Sequence, residues 1–448
     1  MGRRRMLVFA TAALVLMGAC QAFQVPAAPQ SLVVARLQGT CRPSTSARPF
    51  LSPRMSTATS SWSEIKKRLV ELEPAPAVEP VLTLYRDNNG WCPFCERVWV
   101  ALLVKGVPFE EKTLSLQKKP QWYLDKVPTG LVPAIEFVGS GGEIVWESKD
   151  ILLRLETEEF GKYKSLLPAG ERQKALALLD ECDVWFRSIA GVLYGSNATS
   201  AELVAKMQAF EDTIHKIEQK LSASNSPFFL DSGFSMVDCM LIPVLERLAV
   251  QLPLKTGIAL RDTKRWPALE GWFVALETDI APYRDRVKGD AYSWSASFVT
   301  ILQMFKSTTG VGEIDPIANA QAQASSLLEQ QLKVSPSTFQ LHTRLEAVRK
   351  LAGNHEAIVR DATSAAKTQP HLTRLSQTDE AHVDEALRKA SVMLLSDDSS
   401  ALDLSQVTPP EAQAARLVAS RLCVPRDMGA PAAAALRAGL GSLALAYA

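Results

Sequence analysis

The stretch Val81-Leu82-Thr83-Leu84-Tyr85-Arg86-Asp87-Asn88-Asn89-Gly90-Trp91-Cys92-Pro93-Phe94-Cys95-Glu96-Arg97-Val98 decides the fold. Its first five residues, Val81 to Tyr85, read as a short apolar strand, and Pro93 reads as the first residue of a helix. That helix runs to about Lys105, where Gly106 and the nearby Pro108 stop it. Downstream, Phe109 to Leu114 is a second strand and Gln121 to Lys126 a short helix. Ala134 to Phe137 and Ile144 to Trp146 form a hairpin around Gly139 to Gly142, and a further helix opens near Ser148 and ends near Glu158. Short strands alternating with amphipathic helices therefore place an α/β unit at residues 78–160.

The order β-α-β, then β-β-α, is that of a thioredoxin-like domain. Past Gly161 the strand signals stop. Glu171 to Tyr194, Ala201 to Leu221, Met236 to Gln251 and Trp266 to Leu276 carry helical spacing, which makes residues 165–290 an all-helical domain. Ser235-Met236-Val237-Asp238 is a capping box at the start of the third of these helices. After the linker-like cluster Ser307 to Gly312, helical patterns recur near Ala318 to Leu332, Phe339 to Ala366, Asp379 to Leu395 and Ala412 to Arg421. Residues 291–448 thus form a helical extension, with an Ala-biased run at Ala430 to Ala438 and no internal repeat.

Composition narrows the function classes. A chain of 448 residues with 47% hydrophobic and 22% charged residues is globular and long enough for two or three folded units. The net charge of +1, without a basic patch interleaved with aromatics, excludes nucleic acid as the expected partner. Seven cysteines, unevenly spread, do not make a disulfide scaffold, so each thiol is read by itself.

The N-terminus reads as an address. Arg3, Arg4 and Arg5 precede an apolar run, Met6 to Gly18, of signal-peptide length, and small residues follow at Cys20 and Ala22, which gives a signal peptide at 1–22. Residues 23–62 carry Arg36, Arg42, Arg48 and Arg54 among Ser, Thr, Ala and Pro, with no acid before Glu64, as a transit peptide does. With Phe23 opening it, the pair resembles the bipartite presequence of algae whose plastid lies inside an extra membrane. The expected location is the plastid stroma, with no stable membrane span in the mature protein. Cleavage would remove Cys20 and Cys41 and leave five thiols.

The chemistry is expected at Cys92. Thiolate, not thiol, is the nucleophile, and Cys92 stands at the N-cap before Pro93, facing free backbone N–H groups and the positive end of the helix dipole. Cys95, one turn on and on nearly the same face, lies within reach for a disulfide. No metal is expected, because no second C-x-x-C and no histidine before His215 completes a tetrahedral set. The five histidines, His215, His342, His355, His371 and His382, all fall outside the α/β unit and read as helix-surface residues, which argues against a Cys-His hydrolase. Val132-Pro133, with the proline cis, would leave the Val132 backbone groups facing the cysteine, ready to hold a peptide. Glu147-Ser148 opens a helix where a hydroxyl and N–H groups can take a carboxylate while Glu147 takes an ammonium. Glutathione carries a peptide, a carboxylate and an ammonium in one molecule.

Trp91-Cys92-Pro93-Phe94-Cys95-Glu96-Arg97-Val98, Lys118-Lys119-Pro120-Gln121-Trp122-Tyr123, Gly130-Leu131-Val132-Pro133-Ala134 and Trp146-Glu147-Ser148 resemble cysteine-type glutathione transferases of the omega and lambda classes, with dehydroascorbate reductase close by. The resemblance covers about Val81 to Val287. It implies a thioredoxin-like N-terminal domain followed by an all-α transferase C-terminal domain, with the further helical extension outside it. It implies that Cys92 forms a mixed disulfide with glutathione, the co-substrate, and that Phe94 packs beside it. Lys119 would reach the glycyl carboxylate, Val132 would pair with the cysteinyl backbone, with Pro133 beside it, and Glu147 with Ser148 would hold the γ-glutamyl end. Dehydroascorbate reductases often carry the second cysteine, as here at Cys95, whereas the Glu147-Ser148 pair is closer to omega and lambda, so the class stays open.

Three activities fit. The first is a glutathione-dependent thiol transferase that acts on a small oxidised or electrophilic substrate as a monomer or homodimer, with a second glutathione or Cys95 resolving the adduct. The second is a non-enzymatic carrier or scaffold for hydrophobic plastid metabolites, with Trp185, Phe186 and Tyr194 as pocket or, by spacing, core. The third is a glutathione-ligated [2Fe–2S] dimer. Asn197-Ala198-Thr199 matches a glycosylation pattern and reads as chance.

Overall fold

The computed structural model describes residues 32–33, 60–72, 79–138, 141–195, 199–368, 379–396 and 402–447. The range read as a signal peptide lies outside these residues, as do all but 32–33 and 60–62 of the transit-peptide range, Gly139 in the hairpin turn, His371, and Asn197 and Ala198 of the glycosylation pattern.

The sheet is built around β1 (Leu82–Asp87), every residue of which is buried or nearly so. It pairs in parallel with β2 (Phe109–Leu114), Leu82 opposite Phe109 and Asp87 opposite Leu114. On its other side it pairs antiparallel with β3 (Ala134–Phe137), Tyr85 opposite Ala134, and β4 (Ile144–Trp146) extends the sheet antiparallel to β3. Leu32–Val33 adds a two-residue antiparallel pairing on the outer edge of β2. A parallel pair needs a crossover, and α2 (Pro93–Lys105) supplies it; α1 (Trp62–Leu72) precedes the sheet. α2 is covered on all sides, so that even Glu96, Arg97 and Lys105 are buried. α3 (Gln121–Lys126) and α4 (Ser148–Arg154) complete the thioredoxin-like unit. The expected run from Ser148 to Glu158 is broken: α4 stops at Arg154 and a 3₁₀ turn at Glu158–Phe160 follows, which lays Phe160 on Phe137 with ring centroids 5.6 Å apart.

The all-helical domain follows as α5 (Arg172–Tyr194), α6 (Ser200–Ser222), α7 (Met236–Thr256) and α8 (Pro267–Asp279). The capping box of Ser235 and Asp238 is present at the start of α7, which runs one turn beyond the expected Gln251 to a left-handed stop at Gly257. Leu84, Trp99, Phe109 and Ile135 of the first unit share one continuous core with Trp185, Leu241 and Trp272 of the second.

Among the described residues, six α-helices form the extension: α9 (Ala291–Phe305), α10 (Pro316–Leu332), α11 (Leu341–Thr368), α12 (Glu380–Leu395), α13 (Pro409–Arg421) and α14 (Ala430–Ala444). They enclose a second core in which Leu351, Leu387, Leu417 and Leu436 meet Ile65 and Leu69 of α1. Trp62, at the last position of the transit-peptide range, stacks on His355 at 4.3 Å and donates from its indole to Asp384 at 2.8 Å. No helix among the described residues is long and apolar enough to cross a membrane.

The turn after α13 joins the extension to the thioredoxin-like unit. Gly90, with φ +70°, lies so close to the turn after α13 that a Cβ there would fall 1.6 Å from the Pro425 carbonyl oxygen, so only glycine fits. Arg86 donates to the Arg426 carbonyl at 2.7 Å while its Nε and Nη2 hold Glu111 at 3.1 and 2.7 Å. Arg286, 3.6 Å from the same carboxylate, lies with Arg86 on the ring of Trp99, each guanidinium a little over 4 Å from its centroid.

Candidate active site

β1 delivers Asp87 to the end of the sheet, and the loop from Asn88 to Trp91 turns the chain into α2. Asp87 accepts the Trp91 N–H at 2.7 Å, which fixes the residue before Cys92. Cys92 is the N-cap of α2 in extended conformation, with Pro93 in the first turn and no side-chain cap on the free N–H groups. Its half-buried Sγ lies 3.9 Å from the carbonyl oxygen of Val132, and the Val132-Pro133 bond is cis. Tyr123 sets that loop from below by donating to the Leu131 carbonyl at 2.5 Å, a support that sequence reading missed.

Cys95 is buried, and burial, followed by its contact with Cys92 and the neighbouring Asp87 charge, pushes its thiol well above the ordinary range. The ligating atoms of Asp87, Cys92 and Cys95 lie within 4.8 Å of one another, one short of a closed tetrahedral set among the described residues. Asp87 Oδ1 is buried without a hydrogen bond.

Lys119, Glu147 and Ser148 lie at or just before the starts of α3 and α4. Lys119 is half-buried and donates to the Leu116 carbonyl at 3.0 Å. Burial lowers its pKa, and the cysteine charges at 92 and 95 act against that lowering, so Lys119 lies within the field of the thiol pair. Glu147 occupies φ +70°, uncommon for a residue with a Cβ and concentrated at ligand clamps. The strained turn puts Ser148 at the start of α4, buried, with a hydroxyl that bonds to no described residue. Partial enclosure raises the Glu147 carboxyl, and Asp150 and Asp183 add to it.

Phe94 packs against Phe186 with ring centroids 5.3 Å apart and the rings tilted by 45°, and the Arg97 guanidinium covers both at 5.0 and 5.2 Å. Of the aromatic trio on α5, only Phe186 therefore reaches the site. Trp185 packs in the core against Phe229, and Tyr194 is tied to Gln251 at 2.6 Å. Sequence reading also missed Glu96. Its carboxylate is 2.7 Å from Arg247 of α7, which donates to the Trp91 carbonyl at 3.2 Å and so clamps the Cys92 loop to the helical domain. Burial raises the Glu96 carboxyl, with Arg247 opposing it.

Comparison with known proteins locates this geometry. Residues 91–158 match the model of the glutathione S-transferase N-terminal domain, and residues 198–275 that of the C-terminal domain. Glutathione S-transferase L3 of Arabidopsis thaliana is 31% identical over 40% of this chain and 72% of its own length. Glutathione S-transferase L2, chloroplastic, of the same plant is 33% identical over 40% of this chain and 58% of its own length. Glutathione S-transferase omega-1 of Sus scrofa is 26% identical over 46% of this chain and 81% of its own length.

Proposed function

Since the chain belongs to the glutathione S-transferase family and takes glutathione as its co-substrate, we propose that it is a cysteine-type thiol transferase acting through Cys92 on a disulfide, a glutathionylated thiol or dehydroascorbate. The observation that carries this reading is Cys92 Sγ at the uncapped N-terminus of α2, 3.9 Å from the Val132 carbonyl. The helix end favours negative charge on that sulfur, and the cis turn presents backbone to a bound cysteinyl residue. In this reading Lys119 supplies a cation for the glycyl carboxylate, and Ser148 with Glu147 supplies a hydroxyl and an acid for the γ-glutamyl end.

On a glutathionylated substrate, the Cys92 thiolate attacks the glutathione sulfur. The Cys92–S–SG bond forms, the bond to the substrate sulfur breaks, and the substrate leaves as a thiolate that takes a proton from water. A second glutathione thiolate then attacks the adduct, releasing oxidised glutathione and the Cys92 thiolate. Cys95 is the poorer resolving group, because burial keeps it protonated. The names of the omega and lambda relatives support this chemistry, and the chloroplastic relative, with the presequence, supports a plastid location.

Steady-state assays with hydroxyethyl disulfide and with dehydroascorbate test the reading. Cys92→Ser abolishes turnover while Cys95→Ser retains most of it, and mass spectrometry finds one glutathione on Cys92. Turnover that survives in Cys92→Ser overturns it.

A further inference from the structure

A cleft of about 300 Å³ opens between the extension and the loop that carries Cys92. Trp91 and Tyr292 line it together with Leu328, which makes most of its wall apolar; Cys423 supplies a thiol and Arg426 a charged group. Its polar fringe comes from hydroxyls, Thr300 among them, and from the Asn89 carboxamide, with no carboxylate among the lining residues. Two arginines face it in different states. Arg421 is held by Asp361 through bonds of 2.6 and 2.9 Å. The Arg426 guanidinium, half-buried at the same wall, makes no hydrogen bond or ion pair to any described residue, while its own carbonyl is fixed by Arg86. An anchored backbone with an uncommitted guanidinium beside an apolar, acid-free cleft is a receptor for one anion on an apolar body.

We infer that this cleft is a second ligand site, built by the extension and separate from the glutathione groove, that takes a small amphiphilic organic acid: its ring or chain lies between Trp91, Tyr292 and Leu328, and its anionic group bonds Arg426. Glutathione-dependent chemistry at Cys92 is not needed for it, so it stands apart from the proposed reaction. The cleft volume is that of a small-molecule pocket.

The probe is 8-anilinonaphthalene-1-sulfonate, an aromatic body with one sulfonate, used with the full chain. Fluorescence titration reports binding. The rate of Cys423 alkylation by N-ethylmaleimide, read by mass spectrometry, reports where the probe sits. Saturating probe slows Cys423 alkylation at least fivefold. Arg426→Gln weakens binding roughly tenfold, the loss of one charge-assisted hydrogen bond, and Ala324→Trp, which fills the cleft from α10, removes both the binding and the protection. Cys423 alkylation unaffected by saturating probe overturns the site, as does Ala324→Trp binding like wild type with unchanged circular dichroism. Arg426→Gln with unaltered affinity overturns the anion-bearing class of ligand.

Discussion

Replacing Glu111 by glutamine is expected to loosen the joint between the sheet, α2 and the extension without touching the thiol site. Glu111 is buried, holds Arg86 at 2.7 Å, lies 3.6 Å from Arg286 and accepts the Trp99 indole N–H at 2.9 Å. Burial opposes its ionisation, but Arg86, Arg286 and Lys350 prevail and hold the carboxyl at about 2, against an ordinary 4.5. That difference corresponds to about 3 kcal/mol of stability at neutral pH. Because the folded-state value is the lower one, the contribution is fully present well above pH 4.5 and is lost as pH falls from there toward 2. Glutamine keeps the shape and removes the charge, taking from two buried guanidinium groups the carboxylate they share, and breaking a buried pair costs about 3–5 kcal/mol in comparable sites. Urea unfolding followed by tryptophan fluorescence measures it. Wild type exceeds Glu111→Gln by about 3 kcal/mol at pH 7, and the gap shrinks to about half that by pH 3, where protonation in the unfolded chain has removed about half of the wild-type advantage. A gap below about 1 kcal/mol at pH 7, or one that does not change with pH, refutes the reasoning.

Gly90→Ala places a methyl group into the Pro425 carbonyl and a Cβ in a left-handed conformation, the latter alone costing about 1–2 kcal/mol. The turn after α13 should lift, seen as faster limited proteolysis within 402–447 and a lower melting temperature; an unchanged proteolytic pattern contradicts the close approach. Ser148→Ala removes the hydroxyl at the start of α4 and should raise KM for glutathione roughly tenfold with kcat little changed at saturation. A lowered kcat with normal KM would place Ser148 in the chemical step instead.

The features written in short local signals were legible. Pro93 after Cys92, Val132-Pro133 and Glu147-Ser148 each act through neighbours in sequence, and the strands and helices around them follow from their periodicity. What escaped was whatever depends on a partner far along the chain. Glu96, Arg97 and Arg86 look like solvent-facing charges, and only α7, α5 and the turn at Arg426 turn them into buried clamps. The helices after residue 291 were expected, but nothing local announced that Pro425 would rest on Gly90.

The contact of Ile65 and Leu69 with the second core makes the thioredoxin-like and all-helical domains, topologically, an insertion: a helical module begun at α1 is interrupted for some two hundred residues and resumed at α9. Such a module cannot close while the chain is being made, because its first helix waits for partners near the far end. Proteolytic maturation that trimmed past Trp62 would remove the start of α1, and loss of the last helices would strand its apolar face in water. Helices far apart in the chain thus answer for one fold, and a truncation that reaches α1 acts on the late helices as well.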